Sequence, residues 1–243
     1  MGDKNRPSAN FNIQHDLFLC IYDFSRRQDS FLLHWNRPGI HPLRIFNLSF
    51  SYRKSYNQQR KGHDDGKTQY GYWSFFSELG TDLLKEISSF DPDIDNIRKN
   101  LKVDMGWEEK NFSESSHIIK NYDYSIHLTE DNKNSILLLK SLKSLLLDKR
   151  QFMLGLLENP NLLEHESFTD MLWAAFHLAE ELENRYNLDK LPNSDYQHLS
   201  IDLELVYSHL IYEWLHYMEH LMNNYPYLFS LALRTNPFDP DAK

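Results

Sequence analysis

One uninterrupted helical pattern near the end of the chain constrains the fold more than any other feature. Ser194 and Gln197 fit the S-x-x-Q capping signature, and the pattern that follows runs to the sequence MNNYP. It covers about 28 residues, or roughly 42 Å of helix at 1.5 Å per residue. Apolar side chains recur on one face, at Leu203, Val206, Leu210, Trp214, Tyr217 and Leu221. We therefore expect one long helix whose apolar face the rest of the fold buries.

A line of polar side chains borders this apolar stripe. Its members are Asp202, His209, Glu213, His216 and His220. His216 and His220 are four residues apart, and Glu213 and His216 are three apart, spacings from which helical bundles build zinc or di-iron sites. An opposing helix is available, because Asp170, His177 and Glu181 share a face by the same spacing rule.

The polar line supports two hypotheses. The first is an edge of the packed helix that is satisfied by hydrogen bonds to a neighbouring segment. This is the interpretation we favour, because the line from Asp202 to His220 covers about 27 Å, whereas one metal centre takes its ligands from one or two turns. The alternative is an iron or zinc site whose candidate ligands are His177, Glu181, Glu213, His216 and His220.

The remaining patterns predict a mainly α fold with two parts. Residues 1–130 form a smaller α+β part, with strands between about 14 and 52, a helix over 73–89 and a charged connector holding one short helix. Residues 131–243 form an acidic helical bundle. Its first predicted helix covers 133–157, and its second runs from a Ser167 and Asp170 capping pair to Asn184. The long helical pattern described above is the third, and a short helix follows Pro226. The final TNPFDPDAK is expected to leave the fold as an extended tail, in which NPF is a possible docking motif.

Charge is unevenly distributed along the chain. The net charge is −9, but residues through Tyr70 carry +5 and the remainder carries −14. A basic front can indicate an anionic partner such as lipid headgroups or nucleic acid, or it can pair with the acidic remainder of the same chain. Aromatic side chains between the basic ones would suit single-stranded nucleic acid, yet the acidic remainder repels a polyanion, so this partner is disfavoured.

No catalytic signature stands out. The acidic run from Asp91 to Asn96 lacks the glycine of a calcium loop and has Lys102 where the final glutamate is needed. The one cysteine, Cys20, lies in an apolar segment that disfavours a thiolate. No run of apolar residues reaches the roughly 20 needed to cross a bilayer, and no secretion signal opens the chain. These features predict a cytoplasmic protein and favour a non-enzymatic role, without deciding against an enzyme.

The block that begins LLENPNLLEHESFTDMLWAAFHLAEELENR and continues through HLSIDLELVYSHLIYEWLHYMEHLMNNYP carries a resemblance. Over residues 155–240 it resembles the soluble C-terminal region that follows the pore in prokaryotic two-helix, potassium-channel-like proteins. The resemblance implies a cytoplasmic helical module for assembly or regulation. The chain has no pore helix and no filter sequence, so it would not conduct ions itself, and no functional residue carries over.

Together these observations predict a soluble interaction or regulatory protein, acting through self-association or a protein partner and in possible association with a membrane protein. Two alternatives stay open: a metal-binding helical bundle with iron or zinc, and a nucleic-acid-associated protein.

Overall fold

The computed structural model of the chain describes residues 71–242. This part is helical and contains no strand between those bounds, which confirms the mainly α prediction for it. The predicted strands between residues 14 and 52 lie outside the described residues. The α+β part and the boundary at residue 130 therefore stay predictions.

The described chain forms helices joined by short loops, with two 3-10 turns at Leu162–Glu164 and Leu188–Lys190. Residues 71–75 are helical and continue through a π-helical segment, Phe76–Gly80, into the first named helix. The α-helices in chain order are α1 (Thr81–Ser88), α2 (Ile94–Leu101), α3 (Glu109–Lys120), α4 (Lys133–Asp148), α5 (Arg150–Leu157), α6 (Glu166–Glu183), α7 (Asn193–Asn224) and α8 (Pro226–Arg234).

The long helix α7 is the centre of the packing, as its pattern predicts. Its predicted stripe is buried throughout: Leu203, Val206 and Leu210 are fully inaccessible, and Trp214 and Leu221 are each 1% exposed. Helices α1, α3, α6 and α8 all pack on it, and their buried side chains join those of α7 in one hydrophobic core. Burial of this face on several sides supplies most of the stability of α7, because helices in proteins depend on packing of their apolar face more than on local propensity.

The predicted caps of the two core helices are wrong. Helix α7 begins at Asn193 behind Pro192, which is extended at φ −67° and ψ 156° and gives no side-chain cap. Ser194 therefore lies inside the first turn, where its hydroxyl cannot cap. Helix α6 likewise begins at Glu166, one residue before the predicted Ser167. Both starts lie within the one or two residues by which sequence patterns place a helix end.

Two further boundaries differ from the sequence expectation. The predicted helix over 133–157 is broken at Lys149 into α4 and α5. The connector contains the expected short helix α2, but also helix α3, whose start the sequence does not single out. Helix α3 begins with a reciprocal cap in which Asn111 accepts a hydrogen bond from the Glu108 backbone N–H at 2.9 Å.

The connector is fastened to α7 by buried polar contacts. Asp91 is 3% exposed and accepts hydrogen bonds from the hydroxyls of Tyr122, at 2.8 Å, and Tyr207, at 3.0 Å. Farther along, the extended segment after α3 donates its Ile126 backbone N–H to Glu204 of α7 at 3.0 Å. A buried carboxylate with two phenolic donors is satisfied, so the acidic run that opens with Asp91 has a structural role here.

Gly80 lies in the π-helical segment because there is no room for a side chain. A Cβ at this position would lie 2.6 Å from the ring of Phe75 and 2.7 Å from that of Phe76, both of which are buried. From the sequence alone, Gly80 is expected to weaken the helical pattern. The structure shows it as the point of closest approach between the backbone and two packed aromatic rings.

The predicted extended tail is also wrong. Phe238 is fully buried, with its ring 5.1 Å from that of Trp214, and Asn236 donates to the Leu101 carbonyl at 3.2 Å. Lys102 pairs with Asp239 at 3.0 Å at the edge of this contact. The NPF tripeptide is thus part of the core, and a docking partner could reach Phe238 only after the tail had detached.

No helix between residues 71 and 242 combines the length and the apolarity that a membrane crossing requires.

Replacing Phe238 with alanine tests the tail. Because the ring is fully buried against Trp214, Phe238→Ala should lower the free energy of unfolding by about 3–5 kcal/mol. The measurement is urea unfolding followed by circular dichroism. Tyr186→Ala, at a ring that is fully exposed, is the control and should change it by less than about 0.5 kcal/mol. Equal effects of the two changes would contradict the packed tail.

Candidate metal centre

Polar side chains near the start of α7, including Asp202 of the polar line, face α6, and the two helices run antiparallel. Residues that come later in α6 contact residues that come earlier in α7: His177 pairs with Asp202, Glu181 with His198, and Arg185 with Asp195. The steps are four residues along α6, and four and then three along α7, each close to one helical turn. Two polar edges therefore meet along the border of the core.

Four of these side chains form one cluster. His177 Nε2 lies 3.8 Å from Asp202 Oδ1, and His198 Nε2 lies 3.4 Å from Asp202 Oδ2. Glu181 completes the group, with its two oxygens 4.0 Å from His177 Nε2 and 3.6 Å from His198 Nε2. One donor atom each from His177, His198 and Asp202 can be chosen so that all three lie within 4.8 Å of one another.

Local sequence explains why these atoms converge. His177 and Glu181 are four residues apart on α6, and His198 and Asp202 are four apart on α7, so each pair projects from one helix face. Neighbouring apolar residues fix the rotation of both helices, since Leu178 and Leu199 are fully buried beside the cluster. The polar pairs are consequently held at the rim, where His177 and His198 keep side-chain exposures of 47% and 37%.

Asp202 is the most enclosed member. The residue is 8% exposed, and its Oδ2 atom accepts no hydrogen bond from the described part of the chain. Burial raises the pKa of this carboxyl, an effect that the nearby imidazoles of His177 and His198 only partly oppose. A buried carboxylate oxygen without a donor is uncommon in native proteins and calls for a positive partner.

The other groups titrate under mutual influence. Contact with Glu181 raises the pKa of His198, against the opposing effect of partial burial. Burial alone would raise the pKa of Glu181, but His198 and Arg185 outweigh it and lower that pKa to about 2. Glu181 is therefore ionised at neutral pH, and it favours the charged form of His198.

Arg185 closes one end of the cluster. Its Nη1 donates to Glu181 Oε2 at 2.6 Å, and its Nε donates to Asp195 Oδ2 at 3.3 Å. With a side-chain exposure of 14%, this guanidinium holds Glu181 oriented towards the histidines. Glu181 thus has an internal cation in contact already, whereas among the described residues the cationic groups in contact with Asp202 are the two imidazoles, and Arg185 acts on it more weakly.

The donor set fits a single transition metal ion. Two imidazoles and a carboxylate are ligands of zinc and of non-haem iron(II). In a tetrahedral zinc site, bonds of about 2.0–2.1 Å separate ligand atoms by roughly 3.4 Å. His198 and Asp202 already meet this separation at 3.4 Å, and His177 is 3.8 Å from Asp202. Small side-chain movements would complete a three-ligand site.

The five candidate ligands from the sequence are not brought to one point. His177 and Glu181 lie in the cluster, but Glu213, His216 and His220 lie farther along α7. Glu213 follows Asp202 by eleven residues, or about 16 Å of helix. Because these positions are so far apart along one straight helix, a single ion cannot bind all five candidate ligands.

The three distant candidates have other surroundings. Glu213 is 1% exposed and faces the hydroxyls of Ser167 and Tyr72, and its burial raises its pKa. His216 Nδ1 lies 3.8 Å from Glu219, in its own helix. His220 Nδ1 lies 3.1 Å from the Asn224 amide nitrogen. Glu213 Oε1 and His220 Nε2 nevertheless have no hydrogen-bond partner among the described residues, so the hydrogen-bonded helix edge stays a prediction for this stretch.

Two members of the cluster are not among the candidate ligands predicted from the sequence. Asp202 belongs to the predicted polar line but was not placed in the metal set, and His198 lies one turn before that line begins. The signal was present as H-x-x-x-E on α6 and H-x-x-x-D on α7. Recognising it requires the antiparallel register of the two helices, which the spacing within either helix alone does not contain.

Comparison with known proteins identifies relatives of this region. The family model described as the C-terminal helical domain of uncharacterized protein MJ1433 matches residues 67–234. Uncharacterized protein MJ1433 of Methanocaldococcus jannaschii is 42% identical over 209 residues, which cover 86% of this chain and 80% of the relative. No solved structure matches the chain.

These matches correct the expected resemblance to potassium-channel-like proteins. The match to the MJ1433 helical domain spans nearly all of residues 155–240, where the channel resemblance was placed. The chain and this relative share sequence well beyond that block. The channel resemblance was wrong: long amphipathic helices with Leu, Glu and His at helical spacing recur in unrelated bundles, so such a likeness carries little family information.

The pH dependence of stability tests the contact between His198 and Glu181. A histidine whose folded pKa is raised contributes stability below its unfolded pKa, near 6.5, and loses it as pH rises through the folded value. In metal-free buffer, His198→Gln should therefore destabilise the protein more at pH 5 than at pH 9, as measured by urea unfolding. The charged groups facing this imidazole are Glu181, Asp202 and Arg185.

His216→Gln is the matched control, because burial and Lys120 lower the pKa of His216. A lowered pKa reverses the sign, so the wild-type side chain becomes less favourable as pH falls. Parallel pH trends in the two variants would contradict the assigned contacts.

Proposed function

The chain belongs to the family of the MJ1433 C-terminal helical domain, and from this premise we propose that the domain binds one divalent transition metal ion, zinc or ferrous iron. The ligands are His177 of α6 and His198 and Asp202 of α7. The observation that carries the proposal is the buried Asp202 Oδ2, which lies beside an imidazole nitrogen at 3.4 Å and accepts no hydrogen bond from residues 71–242.

A metal ion supplies what this carboxylate lacks. His198 can balance the negative charge of Asp202 only when its imidazole is protonated. The same imidazole also lies 3.6 Å from Glu181, so its charge is shared between two carboxylates. A divalent ion bound to neutral imidazoles satisfies Asp202 at any pH at which the histidines are free of protons. Glu181 and Arg185 then form the outer layer that orients the ligands, as carboxylates near metal-bound histidines commonly do.

Three protein ligands leave coordination positions for water or another small molecule. Sites with two histidines, one carboxylate and open positions are typical of catalytic zinc and of non-haem iron. The exposed sides of His177 and His198, at 47% and 37%, give solvent access to these positions. Binding also joins α6 to α7, so the ion stabilises the folded domain by mass action.

An interaction role is a second candidate, and the surface of α8 favours it. Tyr227 and Leu231 are one turn apart and are 91% and 56% exposed. Neighbouring apolar side chains on one exposed helix face commonly mark a protein interface. The interaction or regulatory role predicted from the sequence would then consist of association through this face of α8. The acidic remainder of the chain continues to disfavour nucleic acid.

Metal titration tests the first proposal. The purified protein, stripped with chelator, should bind one equivalent of Zn²⁺ in isothermal titration calorimetry. Asp202→Asn and His177→Ala should each weaken binding by about 100-fold, because each removes one of few ligands whose combined free energy is of order 10 kcal/mol. Elemental analysis of protein purified without chelator identifies zinc or iron as the natural occupant.

The control variant is His220→Ala, which removes a candidate ligand that lies outside the cluster. It should bind Zn²⁺ as the wild type does. The proposal is contradicted if His220→Ala weakens binding as much as Asp202→Asn does, or if the wild type takes up no metal.

Light scattering tests the second candidate. Association through α8 predicts a mass about twice the 29.1 kDa of the chain, and Tyr227→Lys together with Leu231→Lys should restore the single-chain mass by placing charge in the interface. A wild type that stays at the single-chain mass across the concentration range would remove this candidate.

A further inference from the structure

A second buried carboxyl, separate from the metal centre, lies where the start of α6 meets α7. Glu213 is 1% exposed, and its Oε1 has no hydrogen-bond partner among the described residues. The hydroxyls of Ser167 and Tyr72 face this carboxyl, and the charge of Asp170 on α6 acts on it. An enclosed carboxyl with an unsatisfied oxygen is costly in its ionised form. The packing around Glu213 therefore depends on whether this group carries a proton.

The surroundings of Glu213 favour a bound proton. Burial raises the pKa of this carboxyl, and the negative charge of Asp170 acts in the same direction. The hydroxyls of Ser167 and Tyr72 oppose this rise in pKa without cancelling it. Between residues 71 and 242, no lysine or arginine acts on the carboxyl. Protonation is therefore the means by which its charge is removed.

Tyr72 is the movable part of the cover over Glu213. Its ring packs on Phe168 with the ring centroids 4.1 Å apart, and it meets the ring of His165 edge-on at 5.8 Å. Tyr72 is only half-buried, whereas Phe75, one turn later, is fully inaccessible. A half-buried side chain changes rotamer at a smaller cost than a close-packed core residue does. Tyr72 can thus turn towards solvent while the backbone that carries it stays in place.

The aromatic side chains next to Tyr72 are fixed. Phe76 is 1% exposed and stacks on Tyr217 of α7, with the ring centroids 4.9 Å apart. Phe168, on which Tyr72 packs, is fully buried. Neither ring can leave without opening the hydrophobic core, so the side chain of Tyr72 controls the access of water to Glu213. Burial and the charge of Glu213 raise the pKa of Tyr72, so the phenol itself stays neutral.

We propose that Tyr72 and Glu213 form a proton-dependent latch. When the Glu213 carboxyl is protonated, Tyr72 closes over it and excludes water. When the proton leaves to solvent, the carboxylate attracts water, and Tyr72 turns outwards to admit it. The latch makes the contact of the helical segment 71–80 with α6 and α7 tighter in acid than in base.

Fluorine NMR of protein labelled with 3-fluorotyrosine tests the latch at the tyrosine itself. The full chain is titrated from about pH 4 to about pH 8 with chelator present, and Tyr72→Phe identifies the resonance of Tyr72. This resonance should shift through one transition at a pH above 4.5, the ordinary value for a glutamate. Tyr186, which is fully exposed, is the internal reference and should not follow that transition.

Three variants assign the transition to its cause. Glu213→Gln keeps the shape of the side chain but cannot ionise, so the transition at Tyr72 should disappear. Glu114→Gln, at a surface carboxylate that pairs with Lys110, is the matched control and should retain it. His165 also touches Tyr72, so His165→Gln removes the other titrating neighbour and should retain the transition too. Circular dichroism confirms that each variant is folded.

Urea unfolding provides a second readout. A carboxyl whose folded pKa is raised contributes stability that is fully present below its unfolded pKa and is lost as pH rises through the folded value. Glu213→Gln should therefore gain stability relative to the wild type as pH rises. Tyr72→Ala retains Glu213 but opens its cover, so the loss of stability from acid to base should become smaller in this variant. The titration of His198 is common to all these proteins and cancels in the comparison.

Three outcomes would overturn the latch. They are a Tyr72 resonance that does not move with pH, a transition that persists in Glu213→Gln, and a stability difference between Glu213→Gln and the wild type that is the same in acid and in base. A failure here leaves the metal centre unaffected, because Glu213 is not one of its ligands.

Discussion

Burial of one face of α7 is the constraint on which the rest of the described structure depends. A helix of 32 residues with an unbroken apolar stripe cannot remain in water, and in this chain α1, α3, α6 and α8 cover it. The coverage determines the rotation of α7, and rotation in turn decides where each polar side chain at the edge of the stripe must lie. Even the connector and the C-terminal segment are ordered by α7, through Tyr207 and Trp214.

The candidate metal centre follows from that rotation. Once the apolar faces of α6 and α7 meet, their polar borders meet too, and each border carries a histidine and a carboxylate spaced by about one turn. Most of the resulting contacts are satisfied within the protein, as at Arg185 and Glu181. At Asp202 the burial that positions the side chain also leaves its Oδ2 without a hydrogen-bond donor among the described residues, and here, unlike at Glu213, two imidazoles lie beside the carboxylate. An enclosed carboxylate between two imidazoles is part of the polar edge of the helix, and the same three groups are suitable ligands for a metal ion.

Sequence patterns predicted the periodic features of the fold and missed those that depend on register between elements. The apolar stripe from Leu203 to Leu221 was predicted because its 3.6-residue period can be recognised within the sequence of a single helix. His198 and Asp202 were not joined to His177, because their proximity depends on how α6 and α7 are aligned. The burial of Phe238 was missed for the same reason, since a proline-containing tail reads as extended until its pocket beside Trp214 is known. The N-cap residues of α6 and α7 are His165 and Pro192, each two residues before the predicted serine, and Pro192 provides a helix start that the serine signature does not describe.

X-ray absorption spectroscopy of the zinc-loaded protein tests the central claim most directly, because it reports the atoms bound to the ion. Convergence of α6 and α7 at Asp202 predicts a first shell with two imidazole nitrogens and oxygen ligands at about 2.0–2.1 Å. It also predicts loss of one imidazole in His198→Ala. A shell made of oxygen alone, or one that is unchanged in that variant, would contradict a site formed where the polar borders of the two helices meet.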